Sequence, residues 1–145
     1  MAFLTKDDFD THLYAEVIDS ITREQDTIVE RGISSAISEA QGYLSRFDLA
    51  ALFGDDTDDP TVEDEHLKDV VKDIACWKMI KLANPNVDLK LFRTIYEDAV
   101  KYLEKVQKGQ VDPKGWPYKP DDPATPGNEN NTVQWSSNKK RRQHF

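Results

Sequence analysis

Cysteine occurs once in the 145 residues, at Cys76. One thiol excludes an internal disulfide and any Cys-x-x-Cys metal or redox pair, and its apolar neighbours Ala75, Trp77 and Ile80 point to core packing. Histidine is scarce as well. His12, His66 and His144 lie far apart, and Glu65-His66-Leu67 is not the His-Glu-x-x-His helix that sets two imidazoles one turn apart around zinc. Gly-x-Ser-x-Gly, Gly-x-Gly-x-x-Gly and the Walker loop are all missing, so nucleophile-elbow, dinucleotide and triphosphate readings lack their opening residues. Carboxylates pair only inside acidic runs, whereas catalysis needs convergent groups with tuned pKa values. The sequence therefore predicts no enzyme, with no catalytic, cofactor-binding or metal-ligating residue. No run of 18 apolar residues exists, so no membrane span is expected. The opening Met1-Ala2-Phe3-Leu4-Thr5-Lys6-Asp7-Asp8 turns acidic at once and lacks a basic stretch followed by an apolar one. No secretory signal is expected, and the chain reads as cytoplasmic when made.

What is present is charge. Hydrophobic residues make up 38% and charged residues 32%, a balance that leaves a thin core under a wet surface. The net charge of −8 is uneven: without Lys139, Lys140, Arg141 and Arg142, 15 bases face all 27 acids, which gives −12 for residues 1–138. An acidic body argues against wrapping nucleic acid, whose affinity rests on neutralising phosphates with Lys and Arg. A basic end on such a body favours pairing between copies or with another acidic protein; the plainer alternative is a solvated charged end.

Helical spacing dominates residues 1–109. Thr5 precedes Lys6-Asp7-Asp8-Phe9 as a plausible N-cap, and Phe9, Leu13, Val17, Ile18 and Ile21 continue at helical spacing, with a break near residues 11–14. From Asp26, the residues Val29, Ile33, Ala36, Ile37, Ala40, Tyr43, Leu44 and Phe47 predict one amphipathic helix of about five turns. Gly32 and Gly42 inside it mark either close helix contact or simple tolerance. Asp48-Leu49-Ala50-Ala51-Leu52-Phe53 adds an apolar turn ending at Gly54. The acidic loop from Gly54 to Pro60 invites a calcium reading, but the EF-hand spacing fails because Pro60 stands where the pattern continues and no glycine follows in place. Thr61, with Asp64 three residues on, is the expected cap of the next helix. That helix, Leu67 to Ala83, is apolar over more than one stripe and should be central. Asn84-Pro85-Asn86 breaks it, Asp88 caps a last helix with Leu89, Phe92, Ile95, Tyr96, Ala99, Leu103 and Val106 aligned, and Gly109 follows in the C-cap region. The expected fold is all-α, a small bundle of four to five helices.

Residues 110–145 differ. They hold five of the seven prolines, two glycines, the polar run Asn128-Glu129-Asn130-Asn131-Thr132 and the basic end. Such a stretch buries too little apolar surface to offset an ordering cost of roughly 1–2 kcal/mol per residue, so the expectation is a helical body, 1–109, with an extended irregular C-terminal arm, 110–145. Trp116, Tyr118 and Trp135 are the arm's rings, and large rings are frequent interface anchors. With Lys139, Lys140, Arg141, Arg142 and Phe145 they form the expected partner-binding set. The alternative for the rings is folding back onto the body.

The blocks Ala36-x-x-x-Ala40-Gln41-Gly42-Tyr43-Leu44-Ser45-Arg46-Phe47, Ile74-Ala75-Cys76-Trp77 and Tyr96-Glu97-Asp98-Ala99-x-x-Tyr102-Leu103-x-x-Val106-x-x-Gly109, after the opening Leu4-Thr5-Lys6-Asp7-Asp8-Phe9, are similar to the Mu-like phage and prophage family of head-tail connector proteins. The resemblance covers about residues 3–112. It implies a small helical adaptor in the virion neck, assembled in the host cytoplasm and forming a ring, commonly of twelve copies. The implied partners are the portal and the next neck or tail protein, with DNA passing through the lumen without specific binding; an acidic lumen would suit that conduit. The acidic loop 54–65 departs from the shorter, proline-marked link usual in the family, and the arm after Pro113 lies past the resemblance. The alternative function is a non-enzymatic binding module whose C-terminal arm is a ligand for one partner.

Overall fold

The computed structural model describes residues 3–9, 26–83 and 88–119. The expected first helix beyond Phe9, the break at Asn84-Pro85-Asn86, and Trp135, Lys139, Lys140, Arg141, Arg142 and Phe145 lie outside the described residues. Within them the chain is all-α, with a 3-10 turn at Lys6–Phe9 and four helices: α1 (Asp26–Tyr43), α2 (Leu49–Phe53), α3 (Glu65–Ala83) and α4 (Leu89–Gln107). The only extended pairing among these residues is an isolated antiparallel bridge between Phe47 and Tyr118.

Helix α3 is apolar over a wide arc because it is sandwiched: it packs on both α1 and α4. Leu67, Val71, Ile74, Ala75, Cys76 and Met79 are all but fully buried along it. The approach of α1 to α3 is set by Gly32, where an added Cβ would stand 2.6 Å from Met79 Cγ and 3.4 Å from the Ala75 carbonyl oxygen. At Gly42 nothing lies within 4 Å of that position, so this glycine is tolerated and makes no close contact. The outer helices each bury one stripe, as a two-sided central element requires: Val29, Ile33, Ala36 and Ala40 on α1, and Phe92, Ala99, Leu103 and Val106 on α4.

Helix ends follow their caps. The Asp88 carboxylate accepts from the Lys90 and Leu91 amides at the start of α4, and Asp48 accepts from Ala51 at the start of α2. At the far end of α4, Gly109 takes φ +76, and the Gly109 and Gln110 amides donate to the Val106 and Lys105 carbonyls. Two expected boundaries shift. Helix α1 stops at Tyr43, four residues before Phe47, although Leu44 and Phe47 remain fully buried. Helix α3 begins at Glu65 with Asp64 as its cap, accepting from the Leu67 amide at 3.1 Å. Thr61 is not the cap: its amide and that of Val62 both donate to the Ala51 carbonyl at 3.0 Å, which holds this stretch against α2 instead. At the opening, the Thr5 hydroxyl donates to Asp8 Oδ2 at 2.9 Å, and the Asp8 amide donates to the Thr5 carbonyl at 3.2 Å.

Candidate docking surfaces

Residues 110–119 pack on the body rather than leaving it at Gly109. The turn at Gly115, with φ +85, swings the chain back so that Trp116 lands edge-on against Phe47, with ring centroids 5.2 Å apart. Trp116 is 5% exposed, and its indole N–H donates to Asp64 Oδ2 at 2.7 Å. Asp64 thus serves two elements at once, capping α3 with one oxygen and holding the indole with the other. Tyr118 stacks on Phe47 at 5.2 Å and 20°, and its hydroxyl donates to Asp112 Oδ1 at 3.3 Å. The Asp48 amide donates to the Pro117 carbonyl at 2.9 Å, and the Lys119 amide to the Arg46 carbonyl at 3.1 Å. Of the two described rings in the expected partner-binding set, Trp116 is therefore consumed by its own core, and Tyr118 has one face covered. The packed unit continues to Lys119, ten residues past the boundary that composition suggested, because two rings supply the apolar area that the surrounding prolines and glycine lack.

Arg46 fastens this corner. Its Nη2 donates to the Val106 carbonyl at 2.7 Å, where the last carbonyls of α4 carry the negative end of the helix dipole. Its guanidinium carbon stands 4.9 Å from the Phe47 ring centroid. The three long helices meet again at Glu39. Tyr96 donates its hydroxyl to Glu39 Oε1 at 2.6 Å, and Lys78 Nζ stands 3.2 Å from Oε2. Burial, followed by the hydrogen bond and charge of Glu39, pushes the Tyr96 phenol up to about 12. Burial together with Glu104 and Glu39 raises Tyr43. The Glu39 carboxylate thus clamps three helices together, Oε1 through the tyrosine hydroxyl and Oε2, buried and without a hydrogen bond, through its ion pair with Lys78.

The acidic loop is exposed, and one of its carboxylates ties the turn together. Asp55 Oδ1 accepts from the Asp58 amide at 2.7 Å and from the Thr57 amide and hydroxyl at 2.8 Å, and these bonds hold its carboxyl below the usual range. Among the described residues no group of three His, Cys, Asp or Glu is placed to hold a metal ion. His66 lies edge-on to Tyr102 at 4.6 Å, and Cys76 is buried, its thiol pushed up to about 12 by loss of solvent. No helix among the described residues is long and apolar enough to cross a membrane.

Two features of the described surface are apolar. Leu82 at the end of α3 and Leu89 and Leu91 at the start of α4 are each about half exposed, at 48%, 49% and 53%. A groove of about 550 Å³ opens between residues 4–6 and the first three turns of α1, with Leu4, Val29, Ile33 and Ile37 as its apolar lining and Asp26 and Glu30 also along it. Spacing aligns Leu89 with the apolar stripe of α4, yet it is half exposed, and the groove joins segments twenty residues apart, beyond the reach of local spacing. No family model, curated protein or solved structure matches this chain.

Proposed function

We propose that the protein is a non-catalytic structural adaptor of a tailed-phage neck. In this reading copies associate head to tail and close into a ring beneath the portal, the next neck or tail protein docks on the other side, and DNA passes through the lumen without being bound specifically. The mechanism is geometric: one heterologous contact, repeated with the right rotation, closes a ring, and C-terminal arms add avidity between neighbours. The supporting observation is that the residues carrying the family resemblance, although spread over three separate segments, share one packing unit. Ala36, Ala40, Leu44 and Phe47, Ile74 and Ala75, and Ala99, Leu103 and Val106 are all buried in the same core. Arg46 and Gly109, also part of the resemblance, meet at the end of α4, where a Cβ on Gly109 would lie 3.7 Å from Arg46 Nη1. These residues lie on one three-helix framework. The acidity of residues 1–138 and the half-exposed leucines at the α3 and α4 ends suit a subunit that meets protein neighbours and repels phosphate.

The test is size-exclusion chromatography with light scattering on the full chain, alone and mixed with the portal protein of the same genome. A ring-sized species, formed alone or only with portal, supports the reading. A chain that stays monomeric and never co-elutes with portal or a neck protein contradicts it.

A further inference from the structure

We propose that the last turn of α3 and the first turn of α4 dock on the acidic stretch 54–65 of a second copy. This rests on the head-to-tail reading and names its contact. At this end of the molecule Leu82, Leu89 and Leu91 are each about half exposed, and Lys81, Lys90 and Arg93 are exposed next to them in the chain. Two nearby cations are already engaged within the chain: Arg93 with Glu97 at 3.0 Å, and Lys78 with Glu39 at 3.2 Å. Lys81 and Lys90 meet no carboxylate among the described residues; Lys81 stands only over the Trp77 ring, 5.9 Å from its centroid. Asp88 is the single acid between residues 77 and 93, and its carboxylate is taken up by the Lys90 and Leu91 amides. Exposed leucines flanked by two uncompensated cations suit an acidic protein surface with some apolar area of its own.

The complement lies on the same chain, out of its own reach. Residues 54–65 hold seven carboxylates and no lysine or arginine. Asp55 closes its own turn and Asp64 caps α3, but Asp56 and Glu63 are exposed and meet no cation among the described residues. Pro60 and Val62, half-buried, give this stretch its apolar area. Helix α3 starts at the acidic stretch and ends at Leu82, so its 19 residues hold the two surfaces about 28 Å apart. One copy cannot bring them together. Attraction between them therefore links one copy to the next, and a repeated contact between unlike surfaces is the kind that closes a ring. Duplex DNA would satisfy the lysines but leave the leucines in water, whereas a second copy offers both the charge and the apolar contact.

The test is charge reversal at each surface in the full chain. One variant carries Lys81→Glu and Lys90→Glu, the other Asp56→Lys and Glu63→Lys, and circular dichroism checks that each keeps the wild-type fold. Carbodiimide, which couples a lysine to a carboxylate in contact with it, is applied to mixtures of unlabelled and isotope-labelled chains, alone and with portal protein. Mass spectrometry should find mixed-isotope links from Lys81 or Lys90 to residues 55–65 in the wild type. Each variant alone should lose them about tenfold, and a mixture of the two variants should regain them, because the unaltered surface of one meets that of the other. Leu91→Gln should weaken the links about fivefold, which attraction between charges alone would not do. Absence of these links in the wild type, alone and with portal, overturns the proposal. Links that persist in either variant, or a mixture that does not regain them, overturn it too. Binding of duplex DNA that is lost in the first variant, without links between copies, would assign this end to nucleic acid instead. Ring formation with portal is scored separately: a ring without these links removes this contact alone, and these links without any ring remove the ring reading.

Discussion

Replacing Trp116 by alanine tests whether residues 110–119 belong to the folded body. A buried Trp removes some 150–250 Å² from water, worth roughly 4–6 kcal/mol at about 25 cal/mol per Å². Large-to-small changes of this kind cost about 3–5 kcal/mol. The ring is 5% exposed and lies against Phe47, itself fully buried, so the loss should fall near the middle of that range, about 4 kcal/mol. Trp116→Phe separates the two contributions: it keeps most of the apolar contact but removes the 2.7 Å bond to Asp64, for about 1–2 kcal/mol. In a cycle with Asp64→Asn, that loss should be smaller than in the wild-type background, because the indole partner is already weakened. Urea unfolding followed by circular dichroism reads all of these. A Trp116→Ala chain within about 1 kcal/mol of wild type, with an unchanged urea slope, would refute the docking of this segment.

Arg46→Lys should cost about 1–3 kcal/mol, because an ammonium loses both the 2.7 Å bond to the Val106 carbonyl and the planar contact with Phe47; urea midpoints measure it. Gly32→Ala should destabilise by about 1–3 kcal/mol despite the better helix propensity of alanine, since its Cβ meets Met79 at 2.6 Å, whereas Gly42→Ala should stabilise by up to about 1 kcal/mol; thermal melts of the pair decide this. Tyr96, whose folded pKa of about 12 exceeds its ordinary 10, favours the folded state fully below pH 10, and that contribution disappears as pH rises through about 12. Alkaline unfolding should therefore lose part of its pH dependence over that window in Tyr96→Phe. Cys76, with its thiol near 12 and buried, should resist Ellman's reagent in the native chain and react on unfolding.

Local pattern carried most of the fold. Spacing within each segment located α1, α3 and α4, the cap at Asp88, and the glycine end of α4, because each of these depends on neighbours within about one turn. What spacing could not carry depends on contacts across the chain. Phe47 continues the apolar rhythm of α1, yet its backbone pairs with Tyr118, 71 positions on, and the helix ends early to permit it. Thr61 and Asp64 both satisfy the local cap pattern, and the choice goes to Asp64 because Trp116 fixes its other oxygen. Glu39 lies off the apolar stripe of α1, yet Tyr96 and Lys78 close over it from α4 and α3. The rings at 116 and 118 were legible as docking elements; that their dock is the chain's own Phe47 was not.

Electron microscopy of the full chain mixed with its portal protein tests the central claim most directly. A closed ring of this protein, with an open central passage and seated on one face of the portal, is the predicted image. Well-formed portals that carry no added density at any protein concentration, beside free monomers, would contradict it.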